Sequence, residues 1–160
     1  TRIGVISGHA SGNDRARHRI EGIRDACVAQ GIDPGQLEII QTSYDIERGA
    51  EAFDKLMALP DVPTAVICGN DVLAVGALRR ARDRGLDVPG DVSITGFDDI
   101  ELARIVVPAL TTVHVPHREM GRKAAIELVD MVEKNGSAKS VELEATLQIR
   151  ESLGPAKPKD

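Results

Sequence analysis

In this 160-residue chain, each of four short apolar runs is followed by a polar or aromatic side chain, and together these four side chains have the chemistry of a binding site. The apolar runs are residues 3–6, 37–40, 65–68 and 92–95, and the side chains that follow them are Arg19, Tyr44, Asn70 and Asp98. One guanidinium, one aromatic ring, one amide and one carboxylate can hold a small polyhydroxylated or polar heterocyclic molecule by hydrogen bonds and stacking. The set contains no evident machinery for breaking covalent bonds.

The segments between the apolar runs have helical patterns that would bring these side chains together. We predict one helix capped by Asn13-Asp14 and running to about Gln30, a second over about 46–59, and a third that follows Asn70 and closes at Gly85. Strands that alternate with helices of roughly 10–15 residues indicate an α/β fold with a parallel sheet. Because the carboxyl ends of parallel strands share one edge, the four side chains are expected around one crevice there.

The pattern changes after Pro108. An extended run over 110–115 precedes a helix from Pro116 to about Lys134, which Asn135-Gly136 is expected to end, and residues 141–150 contain one or two strands. We therefore divide the chain into 1–110, 111–153 and a frayed tail at 154–160. The helix over 117–134 has a wide apolar face, so this part of the chain is interpreted as leaving the first lobe for another.

Composition and charge indicate one globular domain without a nucleic-acid surface of its own. The 25 acidic and 20 basic side chains give a net charge of −5, which argues against a phosphate-binding surface. No apolar stretch has the length of a membrane span and the start does not resemble a signal peptide. The strand begins almost directly after Thr1-Arg2 without an initiator Met, so we interpret this start as a cut.

The two cysteines, Cys27 and Cys68, are predicted to be reduced thiols in the core, because they provide neither a disulfide framework nor metal-ligand spacing. A cytoplasmic protein without membrane contact is the expectation that follows.

Motifs that would indicate an enzyme or a cofactor site are incomplete. The segment Gly8-His-Ala-Ser-Gly12 is one position away from a nucleophile elbow, and its glycines lack the spacing of a dinucleotide or phosphate loop. None of the four histidines pairs with a helix carboxylate at metal-ligand spacing; they are His9, His18, His114 and His117. We therefore predict no catalytic residue, no metal site and no cofactor.

Several linked motifs make residues 2–153 resemble a known family. They are Arg19-Ile-Glu-Gly22, the stretch 63–78 around Cys68-Gly-Asn-Asp71, the stretch 85–100 around Gly96-Phe-Asp-Asp99, Pro108-Ala-Leu-Thr-Thr-Val-His114 and Ile149-Arg-Glu-Ser-Leu153. In this order they are similar to the C-terminal half of lactose repressor/galactose repressor (LacI/GalR) family regulators. The resemblance implies the periplasmic-binding-protein-like type I fold, in which two α/β lobes joined by three crossing strands clamp a small effector.

The resemblance also implies the parts and partners of a transcriptional regulator. Residues 1–110 would be the C-terminal lobe, and 111–153 would hold a crossover strand, a helix of the N-terminal lobe and terminal strands. A homodimer would bind a sugar or nucleoside effector, and operator DNA through an N-terminal helix-turn-helix absent from this chain. A periplasmic sugar-binding protein of a transport system shares the fold and stays an alternative, as does a module that binds only partners.

Six residues are candidates for effector binding, four from their places after the strands and two from the segment that leads to Arg19, and several have a structural alternative. The six are Arg19, Tyr44, Asn70, Asp98, Asn13 and Arg15. Arg19 could be a solvated helix flank, Tyr44 could pack under its loop, and Asn70 fits a helix cap. Asp99 is better placed than Asp98 to cap the helix near Ile100, which would leave Asp98 for the ligand.

Further residues are given structural or interface roles. We expect Asp71 to tie its loop to neighbouring backbone, Arg150 to pair with Glu151, and the acidic helix 46–55 to present a solvated face. The apolar run 105–110 in a surface connection predicts a dimer contact. Val115 takes a crossover position where several members of the family carry a polar ligand, so the resemblance does not extend to a particular sugar.

Overall fold

The computed structural model describes residues 2–134, 137 and 140–155, which form six strands and five α-helices in these ranges. The strands are β1 Ile3–Gly8, β2 Glu38–Thr42, β3 Ala65–Cys68, β4 Ser93–Thr95, β5 Thr112–His114 and β6 Thr146–Gln148. The α-helices are α1 Asp14–Ala29, α2 Ile46–Met57, α3 Asp71–Asp83, α4 Leu102–Ile105 and α5 His117–Lys134, and a single 3-10 turn covers Pro34–Gln36.

The first four strands form a parallel sheet in the order β2-β1-β3-β4. The chain runs from β1 outward to β2 and then returns to β3 on the other side of β1, so the strand order reverses between β1 and β3. An antiparallel pair, β5-β6, continues the edge beyond β4 through parallel bridges from Thr95 to Thr111 and from Asp98 to His114. Open α/β sheets bind ligands beside such a reversal, at the carboxyl ends of the strands.

One face of the sheet is closed by α2 and α3. Buried side chains of both helices pack on the inner residues of β1, β3 and β4. The largest side chains of this core are Phe53, Leu56 and Leu73 from the helices and Ile6 and Ile94 from the strands. The two helices approach each other closely, because a Cβ on Gly76 would lie 2.0 Å from the carbonyl oxygen of Ile46. Only glycine permits this backbone contact.

The opposite face carries α1 and remains partly open. Ala16, Ile20 and Cys27 of α1 are buried against the sheet. Beside the helix a mainly apolar groove of about 540 Å³ lies over β3, β4 and β5, with Ile23, Ile67 and Val113 in its lining. The sheet is thus packed unequally on its two sides.

The predicted elements are confirmed with small changes at their ends. Helix α1 begins after Asn13 and stops before Gly31, whose φ of +69° permits the turn, and α2 ends at Met57, two residues earlier than expected. The expected helix end at Asn135-Gly136 and most of the predicted tail at 154–160 lie outside the described residues. Across residues 2–134, 137 and 140–155, no helix is both long and apolar enough to cross a membrane.

The acidic side chains of α2 are solvent-exposed, as expected, but they also form ion pairs that the sequence did not predict. Glu47 accepts two hydrogen bonds from Arg79 of α3, at 2.6 and 2.7 Å. Asp54 pairs with Arg80 of α3 and with Arg84 directly after it, at 3.0 and 2.6 Å. The acidic side chains therefore join α2 to α3, which helical periodicity within α2 alone could not show.

Candidate functional site

Arg19 lies in the second turn of α1 and reaches over the carboxyl ends of β3 and β4. Its Nη1 donates a hydrogen bond to the Gly69 carbonyl at 2.6 Å, and its Cζ stands 3.8 Å from the centre of the Phe97 ring. Its Nη2 is 3.8 Å from Oδ1 of Asp98. The guanidinium is therefore oriented by a carbonyl, a ring and a carboxylate, and the side chain is not a solvated flank of its helix.

Asp98 is held in an unusual backbone conformation at the end of β4. Its φ is +112° and that of Asp99 is +56°, a region that non-glycine residues rarely occupy and that costs about 1–3 kcal/mol for each residue. The Asp98 amide donates to the Val113 carbonyl at 2.9 Å, which fixes the loop to β5. The Asp98 carboxylate remains one-quarter exposed between Arg19 and Nε2 of His117, at 3.8 and 3.7 Å.

Asp99 does not cap the helix near Ile100, so the capping prediction was wrong. The Ile100 amide instead donates to Oδ2 of Asp71 at 2.9 Å. The buried side chain of Asp99 turns away and pairs with Arg104, Arg150 and His114. Its conformation at positive φ points the carboxylate into the protein, an outcome that the order of residues in the sequence could not reveal.

Asp71 ties its loop to its surroundings, as expected. The side chain is fully buried, and its other oxygen accepts a hydrogen bond from Oγ1 of Thr112 at 2.5 Å. Burial raises the pKa of Asp71, and the hydrogen bonds from Thr112 and Ile100 oppose this effect. The loop after β3, the loop after β4 and strand β5 therefore meet at one carboxylate beneath the crevice.

Asn13 and Asn70 both cap helices that point their amino ends at the crevice. Oδ1 of Asn13 accepts from the Ala16 amide at 3.2 Å, and Oδ1 of Asn70 accepts from the Leu73 amide at 3.0 Å. Each cap occupies the side-chain oxygen and leaves the amide nitrogen as a donor for a ligand. Structural and ligand roles are therefore compatible in both residues.

Tyr44 lies across the end of β1. A Cβ on Gly8 would lie 2.3 Å from Cζ of the tyrosine, so a larger residue there would require the ring to move from this position. The ring is 41% exposed and therefore keeps a free surface for stacking. Arg15 is exposed on α1, while Val115 lies beyond β5 in a second hollow that also contains Asp98 and His117.

Two site residues were not predicted from the sequence. The Phe97 ring lies against the guanidinium of Arg19, and His117 at the start of α5 lies near the same Asp98 oxygen as Arg19 does. The Gly-Phe-Asp-Asp motif contained the signal for Phe97, but His117 required knowledge of how β5 and α5 pass the loop. Within the described ranges, no three metal-ligating side chains come together.

The Arg150-Glu151 pair was also predicted wrongly. Arg150 pairs with Asp99 and donates to the Leu110 carbonyl at 2.8 Å, whereas Glu151 accepts from the Ala109 amide at 2.9 Å. Arg150 precedes a turn at residues 151–152, and the two side chains of the predicted pair bond to different partners there.

A parallel sheet with a polar crevice at its strand reversal and a crossing pair at its edge defines a ligand-binding α/β lobe of the periplasmic-binding-protein type. The family model described as a periplasmic binding protein-like domain matches residues 1–153, and the chain belongs to this family. The resemblance to LacI/GalR regulators is confirmed by the relatives that follow.

The relatives include transcriptional repressors. The HTH-type transcriptional repressor PurR of Photobacterium profundum is 35% identical over 153 residues, which are 95% of this chain and 46% of that protein. The ribose operon repressor of Haemophilus influenzae has the same identity, with 95% of this chain and 46% of that protein covered. The chain thus spans less than half the length of these relatives.

Solved structures show the same lobe. A LacI family transcriptional regulator from Enterococcus faecium with bound ribose gives a TM-score of 0.88 at 28% identity, covering 98% of this chain and 57% of that chain. The lac repressor dimer bound to operator and the anti-inducer ONPF gives a TM-score of 0.84 at 26% identity, and the match covers 94% of this chain and 52% of that chain. The predicted α/β fold is confirmed by these matches together with the parallel sheet.

Proposed function

We propose that this chain is the effector-binding part of a LacI-family transcriptional regulator that acts in the cytoplasm and catalyses no reaction. A small sugar or related metabolite in the crevice between Arg19 and Asp98 controls the affinity of the complete protein for operator DNA. The observation that carries the proposal is the convergence of Arg19, Phe97 and Asp98 at the strand reversal, in a chain that belongs to a family of ligand-binding domains.

The chemistry of the crevice suits a ring that carries hydroxyl groups. The guanidinium of Arg19 can donate to two neighbouring oxygens, and the Asp98 carboxylate can accept from two hydroxyls. The exposed Tyr44 ring offers an apolar plate for the face of a sugar or purine. The amide nitrogens of Asn13 and Asn70 add donors at the rim, and Arg15 is a further candidate.

The relatives support a regulator over a transport protein. Those named above are the HTH-type transcriptional repressor PurR, a ribose operon repressor, a LacI family regulator with bound ribose and the lac repressor bound to operator. We therefore place DNA binding in sequence outside this chain, since the net charge of −5 does not suit a phosphate surface.

A homodimer completes the proposal. Ile105 and Val107 are 72% and 84% exposed, whereas Val106 between them packs against the core. They border a surface groove together with Val75, Arg79 and Arg82 of α3. Neighbouring exposed apolar residues usually mark an interface. The double substitution Ile105→Asp and Val107→Asp should give a folded monomer in sedimentation, and an unchanged dimer would reject this surface.

The proposed function is tested by a thermal-shift screen of the complete regulator followed by operator binding. Pentoses, hexoses, disaccharides and purine nucleosides are the compounds to screen, because a ligand of the native state at 100 times its Kd stabilises by about 2.7 kcal/mol. We expect one class to raise the Tm and to change the operator affinity. A compound that binds without any effect on operator binding would favour the transport protein, and no shift with any compound would favour a module that binds only partners.

A further inference from the structure

One buried carboxylate beside the crevice, that of Asp99, contacts side chains from three different parts of the fold. The Asp99 side chain is only 1% exposed. Its Oδ2 accepts from Nη2 of Arg104 at 2.9 Å and lies 3.0 Å from Nδ1 of His114, while its Oδ1 accepts from Nη2 of Arg150. These partners belong to α4, to β5 and to the residues directly after β6.

The surroundings of Asp99 stabilise its negative charge. Burial alone would raise the pKa of Asp99, but the hydrogen bonds and charges of Arg104 and Arg150 outweigh burial and lower it. Arg150 is anchored in turn, since its Nη1 donates to the Leu110 carbonyl and its amide donates to Oγ1 of Thr111, both at 2.8 Å. The carboxylate thus binds the loop after β4 to both strands of the β5-β6 pair.

Asp98 shares this attachment through the backbone. The two aspartates are consecutive residues at positive φ, and the Asp98 amide is bonded to β5. A displacement of β5-β6 relative to β4 must therefore break the contacts of Asp99 or move the Asp98 carboxylate with the strands. On its other side, Arg104 precedes Ile105, whose side chain lies on the proposed dimer surface.

We propose that Asp99 is a positioning residue that couples the occupancy of the crevice at Asp98 to the placement of the β5-β6 pair and of the 104–107 segment. This inference rests on the proposed function, because the coupling has a readout only if a ligand at Asp98 alters DNA binding. It deepens that function by naming the connection through which the ligand acts. Asp99 itself does not contact the ligand.

A second carboxylate, which is 35% exposed where Asp99 is 1% exposed, provides a control of the same charge. Asp54 on α2 also pairs with two arginines, Arg80 and Arg84, but these contacts join two helices away from the crevice. Asp54→Asn and Asp99→Asn therefore remove the same charge and a similar number of ion pairs. Only Asp99→Asn should change the extent to which the bound ligand alters the operator affinity.

The experiment measures operator affinity of the complete regulator with and without its effector, alongside the Tm. Each variant is compared with wild type by the ratio of the two operator affinities. For Asp99→Asn we expect that ratio to fall at least about tenfold towards unity, a coupling loss of about 1.4 kcal/mol. For Asp54→Asn we expect a lower Tm with the wild-type ratio.

Additional variants keep the test informative if Asp99→Asn does not fold. Arg150→Lys preserves the charge but removes the guanidinium group, whose two nitrogens bond to Asp99 and to the Leu110 carbonyl. Arg104→Ala removes the exposed arginine that pairs with Asp99. Both should reduce the ratio, Arg150→Lys more strongly. A wild-type ratio in folded Asp99→Asn or in both arginine variants would overturn the coupling alone. An effector-independent operator affinity in wild type would reject the proposed function, and the coupling with it.

Discussion

The two faces of the parallel sheet are packed in different ways. On one face α2 and α3 enclose a continuous core that includes Phe53, Leu56 and Leu73, all without exposed surface. On the other face α1 covers the centre of the sheet and leaves the groove over β3, β4 and β5 open. Parallel sheets are normally covered on both faces, so the incomplete cover of the open face leaves room there for further structure.

The difference matters for the crevice, which lies at the edge that both faces share. Asn70 and Asp71 begin α3 on the closed face, and Arg19 extends from α1 on the open face. Half of the candidate site is thus fixed by a packed core, whereas the other half depends on a helix with fewer neighbours. We expect substitutions on the two faces to differ in their cost for stability.

The largest difference is expected from removing one buried side chain on each face. Leu56→Ala should lower the free energy of unfolding by about 2–5 kcal/mol, since the leucine is fully buried and a cavity would remain. Ile23→Ala should cost less than about 1.5 kcal/mol, because its side chain in the groove is only partly buried. Denaturant unfolding measures both, and equal losses would show that the faces are packed alike.

Two helix glycines sharpen the comparison. Gly76→Ala should destabilise by at least about 1–3 kcal/mol, because its Cβ would collide with the backbone of α2. Gly22→Ala on α1 should stabilise by about 0.5–1 kcal/mol, because a Cβ there meets no atom within 4 Å and alanine favours the helix. Thermal unfolding of the two variants checks the signs, and a destabilised Gly22→Ala would mean that the groove is filled.

The labelling rates of the two cysteine thiols also test the difference between the two faces of the sheet. Cys68 belongs to the core of the closed face, where burial and then the charge of Asp71 raise the pKa of its thiol. Both thiols border the groove, but Cys27 is 4% exposed and lies outside the core cluster, whereas Cys68 is 1% exposed and belongs to it. Single-thiol variants, Cys27→Ser and Cys68→Ala, should show faster native-state labelling of Cys27, whereas Cys68 should react only on global unfolding. Similar rates would contradict the assignment of the faces.

Local patterns were sufficient to predict the elements and the position of the crevice. Alternating apolar runs and caps such as Asn13 and Asn70 act over a few residues, so the sequence contains them directly. The same holds for Arg19 and Asp98, since parallel strands necessarily bring their carboxyl ends together. The resemblance to a family added the roles of these residues, which stay predictions.

Long-range pairings could not be predicted in the same way. Asp99 is next to a residue that faces the crevice, yet it pairs with Arg150, 51 positions away, and both aspartates have positive φ. Glu47 and Asp54 resemble solvated residues until α3 is placed beside them. In each case the partner is determined by packing between elements, and no periodicity within one element contains that information.

Titration calorimetry of the crevice variants tests the central claim most directly. With the effector found by screening, Arg19→Ala and Asp98→Asn in the complete regulator should each weaken binding by about 1.5–3 kcal/mol, which is about tenfold or more in Kd. Arg17→Ala is the control, since this arginine pairs with Asp14 and Glu21 on the exposed side of α1. Wild-type affinity in both crevice variants, with the Tm retained, would contradict the assignment of this crevice as the effector site.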